Sequence, residues 1–492
     1  MQLLRKYRFT LPRRHTGLAP VSNVKAGLDS GSGAGMTEAG SGYLRRIPYY
    51  SALALLVYMP FHVFLSQSLS LLTGGLEYWK IGKDLLLALA TLFAICLVFW
   101  QRRAERWYMV LVGFIVVYAA IHAVVWLGNP GIYAQSAALG SVYNVRLFCY
   151  AILGASSVVL WPKVFVFRTI FIIITGVASV IALLGILQYL LPKDTLTHVG
   201  YSLDRGVRPA FFIDDNPAFP RIMSTLRDPN SLGAYLIVPF TALSSWLLRV
   251  RPRPSSRQLI VLGLWLLHLT AIYLTFSRSA WLAAMVALAG VLWWQFSSQF
   301  VRVARRYWPI VVGVVVLAAG GLFAVRHNAL VDGVLTHSTE AQVGNVDSNE
   351  YHWLYVRRGI DGIMQKPLGH GPGTAGIVSI HNPGGGLLTE NYYVQIGYEV
   401  GVVGVAIFIA GTVWIYLRLM RRGDQWGAIL LSSFWAYVIT NMLLHIWSNE
   451  AVAAQWWILA GMALVAATST TTDSSSRRTL GPNQRKKKVS PA

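Results

Sequence analysis

Polar positions are scarce along this chain and gather between long apolar stretches. Runs of roughly 20 apolar residues, the length that spans a bilayer as a helix, lie near 49–72, 84–101, 107–128, 144–162, 167–191, 230–248, 258–275, 279–298, 308–325, 391–417, 426–446 and 451–468. Twelve such runs predict an all-α integral membrane protein with both termini on one side. Tyr49, Trp107, Trp161, Trp308 and Trp426 stand at run ends, as interfacial anchors do. One stretch has another period: over 350–365, Trp353, Leu354, Val356, Ile360 and Ile363 alternate with polar residues as on an amphipathic helix.

Composition agrees with the pattern. The 492 residues are 55% hydrophobic and 13% charged, with a mean hydropathy of +0.50. These values exclude a soluble enzyme, a disordered chain and a secreted disulfide scaffold. The formal charge of +22 would suggest nucleic acid in a soluble protein. Here 29 of the 42 Lys and Arg fall in the termini and in the short loops on one side of the runs. The positive-inside rule makes that side cytoplasmic, so the charge requires no nucleic-acid partner. Cys96 and Cys149 sit in apolar runs without metal-site spacing, and no metal or cofactor is expected.

Three regions follow. Residues 1–48 form a basic, Gly- and Ser-rich segment with no signal-peptide core, and Met36 is a candidate initiator. Residues 49–468 form the transmembrane domain, and 469–492 read as a disordered basic cytoplasmic tail that meets membrane lipids. The two long loops, 192–229 and 326–390, fall on the outer face, where chemistry is expected because long loops carry function.

The first loop holds Arg205, Arg208, Arg221 and Arg227 and ends in Asp228-Pro229-Asn230, with Asn230 or Ser231 as candidate helix caps. Guanidiniums near a helix start suit an anion, and headgroup phosphate is the alternative occupant. Arg278 stands between two apolar runs in Thr-Phe-Ser-Arg-Ser-Ala. A charge so near membrane depth is costly and usually functional; the alternative is snorkelling to the interface. In the second loop Pro-Leu-Gly-His-Gly-Pro-Gly is a tight turn, followed by His381 and by Glu390-Asn391-Tyr392 at the mouth of the tenth run. Glu390 reads either as a reactive carboxylate or as an acid favoured by the helix dipole. Glu399 lies inside the run and needs a partner there.

This order of motifs resembles the O-antigen ligase and polymerase superfamily. The motifs are Arg221-x5-Arg227-Asp-Pro-Asn, Thr-Phe-Ser-Arg278-Ser-Ala, and Glu390-Asn391-Tyr392 with Gly401-x2-Gly404, joined by the segment Tyr351 to Gly373. The likeness covers roughly 200–420 through its motifs and the remaining spans through topology alone. It implies a GT-C-like fold and metal-independent transfer of a glycan from an undecaprenyl-diphosphate carrier to an acceptor hydroxyl at the outer face of the plasma membrane. It also implies that Arg221 and Arg278 hold the diphosphate and act in catalysis. Arg205, Arg208, Arg227, His381, Asn391 and Tyr392 are then candidate substrate contacts. Ligases of the family carry His where this chain has Glu390, so the acid looks more like the polymerase branch. A carboxylate serves as a general base towards a sugar hydroxyl, with His381 as a substitute. Ligase against polymerase stays open on the sequence. A flippase-like transporter is the other class considered; it would be expected to show internal repeats and broken, charged spans.

Overall fold

The structure, a computed structural model, describes residues 42–162, 167–213, 216–248, 255–297, 348–382 and 386–476. It is an all-α membrane fold with a small two-stranded hairpin. The helices are α1 (Ile47–Tyr58), α2 (His62–Thr73), α3 (Leu76–Trp100), α4 (Arg106–Leu127), α5 (Ala134–Leu160) and α6 (Phe167–Leu190). Strands β1 (Phe211–Ile213) and β2 (Asn216–Arg221) follow, then α7 (Pro229–Tyr235), α8 (Ile237–Leu247), α9 (Ser256–Leu274) and α10 (Arg278–Ser297). The chain continues with α11 (Ser348–Gln365), α12 (Tyr392–Met420), α13 (Gln425–Leu443) and α14 (Glu450–Ser476).

Among the described residues nine helices are long and apolar enough to cross a membrane, α1 and α2 counting as one through a 3-10 turn at Met59–Phe61. The expected run 230–248 is instead two short helices, α7 and α8, meeting at Leu236. The run 451–468 appears in α14, whose helix reaches Ser476 and so enters the segment read as tail. The expected run 308–325 and the segment 1–41 lie outside the described residues.

The core is centred on α5 and α14. A Cβ on Gly154 would collide with the Ile458 backbone, and one on Gly461 with the Ala151 backbone, so paired glycines set this approach. Without a hydrophobic force between helices in lipid, such backbone proximity is a main source of association. Phe148 and Trp457 pack edge to face beside it, 5.5 Å between centroids.

α12 is broken at Val400 and Gly401, where Gly401 has φ +72° and ψ −177°. An unbroken helix would join Val402 N–H to the Tyr398 carbonyl. Here both bond to the loop after α11: Val402 N–H donates to the Pro367 carbonyl (2.9 Å), and His370 N–H donates to the Tyr398 carbonyl (2.8 Å). Gly371 N–H donates to the Glu399 carbonyl (2.8 Å), and the His370 ring stacks on Tyr398. The Gly/Pro turn seen in the sequence is thus a wedge seated in a helix. The Glu399 carboxylate finds the partners it needs: Asn144 Nδ2 donates at 2.7 Å and Gly373 N–H at 3.1 Å.

α11 packs on α12 through a narrower face than its apolar stripe suggested. Val356, Gly359 and Gly362 are buried there. Trp353, Ile360 and Met364 are 70%, 46% and 76% exposed.

Candidate functional site

A cavity of about 620 Å³ lies on the face that carries the long loops. Its wall includes Arg205, Gly206 and Arg227 from the first loop, Ile377, Val378 and Glu390 from the second, His445 from the turn between α13 and α14, and Glu450 from the start of α14. The far wall is His62 of α2, Lys80, Lys83 and Asp84 of α3, and Tyr143 of α5.

Glu390 is placed by its backbone. It has φ +52°, a left-handed conformation that is uncommon outside glycine. The next residue, Asn391, caps α12: its Oδ1 accepts from Tyr393 N–H and Val394 N–H, both at 3.0 Å, and its Nδ2 donates to the Met442 carbonyl. The helix start is therefore capped by Asn391 and not by Glu390. The carboxylate projects to the cavity, where its Oε2 lies 3.1 Å from His352 Nδ1 of α11.

Arg205 is fixed against α2. Its Nε donates to Gln67 Oε1 (3.0 Å), and its Nη2 donates to the Gln67 carbonyl (3.0 Å) and to Ser70 Oγ. Arg227 precedes Asp228, which is the N-cap of α7 in place of the expected Asn230 or Ser231: Asp228 Oδ1 accepts from Ser231 N–H at 2.8 Å. Arg208 lines an adjoining cavity of about 270 Å³ that shares Arg227 and Asp228 with the first.

Arg221 ends β2, paired with Phe211. Its Nε donates to the Thr275 carbonyl (3.0 Å) and its Nη2 to Asn230 Oδ1 (3.1 Å). Arg278 opens α10 three residues after Thr275 and is partly buried. Arg221 therefore reaches the turn before Arg278, and it meets the large cavity through Asn230, which lines it. The side chain of His381 lies outside the described residues. Its backbone ends a 3-10 turn, Ile377–His381, whose Ile377, Val378 and Ile380 line the cavity. Tyr392 does not line the cavity: its ring is fully buried in the core against Phe408.

Sequence reasoning overlooked the far wall and Arg146, which pairs with carboxylates of the wall without lining the cavity itself. Arg146, within α5, is fully buried; its Nη1 lies 3.5 Å from Asp84 Oδ1 and its Nη2 3.9 Å from Glu450 Oε2. Lys83 Nζ is 3.0 Å from Asp84 Oδ2, and Arg146 stacks over Tyr143 at 4.1 Å. The signal was present: a lone Arg in an apolar run carries the same cost as Arg278. His445 was also passed over. Burial lowers the pKa of its imidazole, against the opposing pull of Glu390 and Asp228.

The wall thus offers fixed guanidiniums and ammoniums beside carboxylates, at one end of a membrane bundle. That composition suits a lipid-borne substrate with an anionic headgroup and a hydroxyl-bearing partner. The class the fold defines is a polytopic membrane protein with a polar cavity at its loop-bearing face. Residues 231–409 match the O-antigen ligase family model, which supports membership of the O-antigen ligase superfamily. No curated protein matches the chain. The matched stretch contains Arg278, His381, Glu390, Asn391 and Tyr392; the arginines of the first loop and Arg146 precede it. At the level of the family, the match supports glycan transfer of the O-antigen ligase and polymerase type, a chemistry that implies lipid-linked glycans.

Proposed function

We propose that this protein transfers a glycan from an undecaprenyl-diphosphate carrier to an acceptor hydroxyl at the outer face of the plasma membrane, as a metal-independent enzyme of the polymerase branch. The observation that carries the reading is Glu390, held by a left-handed backbone, in one cavity with Arg205 and Arg227. In the reaction the acceptor oxygen forms a bond to the anomeric carbon as that carbon's bond to the diphosphate oxygen breaks. The electron pair leaves with the diphosphate, and the hydroxyl proton passes to the Glu390 carboxylate. Guanidiniums offset the charge that builds on the leaving group. Arg205 and Arg227 line the cavity and take the nearer diphosphate contacts, with Arg208 beside them. Arg221 braces the adjoining turn through the Thr275 carbonyl, and Arg278 opens the helix that follows that turn.

The test is Glu390→Gln, which keeps shape and loses the base. Donor is the lipid-linked oligosaccharide fraction extracted from cells lacking this protein. Transfer by purified protein is expected to fall at least about a hundredfold, the low end for losing a positioned base, while undecaprenyl diphosphate still binds. Near-normal transfer would return Glu390 to a structural role. Orientation has its own test. Leu203 is 68% exposed and lines the cavity. Leu203→Cys is expected to react with an impermeant thiol reagent in intact cells. Labelling only after permeabilisation would reverse the topology.

A further inference from the structure

We propose that His352 is a positioning residue for Glu390: it donates Nδ1–H to one carboxylate oxygen and so turns the other towards the acceptor hydroxyl. This rests on the reading of Glu390 as the base. A carboxylate acting as base has acceptors only, so in the 3.1 Å contact the hydrogen belongs to His352 Nδ1. The bond takes Oε2 and leaves Oε1 for the acceptor. Glu390 lines the cavity and His352 is not among its lining residues, so the imidazole acts on the substrate only through the carboxylate.

The two residues are 38 positions apart, and the structure fixes their distance by packing. A Cβ on Gly359 would strike Val394, and one on Gly362 would strike the Tyr398 ring, so α11 and α12 meet closely. His352 is about two turns before Gly359 on the same helix. Glu390 is held at the other end by the Asn391 cap, whose Nδ2 ties it to Met442. His445, Arg227 and Asp228 line the same cavity as the carboxylate. A carboxylate at a strained position among these charges has several competing partners. The His352 bond selects one rotamer, which is what a base needs in order to meet a hydroxyl at hydrogen-bond distance.

The experiment compares His352→Phe, which keeps a ring and removes the donor, with His352→Asn, whose amide supplies a donor close to where Nδ1 sits. Both are assayed as purified full-length protein with extracted lipid-linked oligosaccharide, alone and combined with Glu390→Gln. His352→Phe is expected to lower kcat about 10–100-fold, the worth of one hydrogen bond to a charged group, with KM for the donor unchanged. His352→Asn is expected to recover most of the loss. In the Glu390→Gln background, His352→Phe is expected to add nothing further. Wild-type kcat in His352→Phe, or an Asn variant as slow as the Phe variant, overturns the positioning role. A large loss in Glu390→Gln beside a wild-type His352→Phe removes this inference alone. Wild-type transfer by Glu390→Gln removes the base reading itself.

Discussion

Gly401→Ala tests whether the break in α12 is built in or incidental. Gly401 occupies φ +72° and ψ −177°, a region open essentially to glycine, and forcing another residue there costs about 1–3 kcal/mol. The added Cβ would also stand 2.6 Å from the Leu368 carbonyl carbon and 2.9 Å from Gly369 N. Those are backbone atoms of the wedged loop and have no rotamer to yield, and overpacking of this kind adds about 1–3 kcal/mol. Together the terms reach about 2–6 kcal/mol, a large share of the roughly 5–15 kcal/mol that holds a typical domain. The assay is thermal unfolding in detergent, followed by intrinsic fluorescence of the 18 Trp residues. The midpoint is expected to drop by about 2–6 °C, at roughly 1 °C per kcal/mol for a chain of 492 residues. Gly113→Ala is the control: its Cβ would meet nothing within 4 Å, and alanine suits a helix better. Equal midpoints for the two variants would refute the claim that loop and break are interlocked.

Two further outcomes are expected. Asn144→Leu removes the 2.7 Å donor to the buried Glu399 carboxylate and should destabilise the protein by about 1.5–3 kcal/mol; an unchanged unfolding midpoint would show that the remaining donors, Gly373 N–H among them, suffice. His445 has a depressed folded-state pKa through burial, so its contribution is complete above the ordinary histidine value of about 6.5 and is lost as pH falls below it. The midpoint should therefore decline from pH 7.5 to pH 5.5, and His445→Gln should make that decline shallower. Parallel declines in the two proteins would contradict the assignment.

Much of the fold is legible in the sequence because hydrocarbon imposes one rule everywhere: backbone groups pair within a helix and side chains are apolar. The need of Glu399 for a partner was legible for the same reason. The partner was not, because Asn144 is 255 positions away and pairwise contact leaves no local pattern. The break between α7 and α8 at Leu236 was hidden because hydropathy averages over it. Averaging also hid Lys83, Asp84 and Arg146, whose mutual neutralisation is visible only in three dimensions. The left-handed backbone at Glu390 has no sequence signature, since glutamate is not a residue that signals such a conformation. Motif order brought Glu390 and the arginines into view; which arginines share its cavity depends on how the hairpin and α7 place them.

The wedge in α12 also constrains how the chain is assembled at the membrane. Synthesis delivers α11 and residues 366–373 before α12 emerges. When α12 enters the bilayer, the groups at its break need partners that its own helix does not offer, and each one left bare in hydrocarbon costs several kcal/mol. The loop that supplies them has already been made and lies just upstream, at the end where the helix begins. α12 is thus not an autonomous span that waits for a loop to decorate it. Insertion and loop docking are therefore expected to be coupled, and a lesion in the loop is expected to read out as a defect in biogenesis as well as in chemistry.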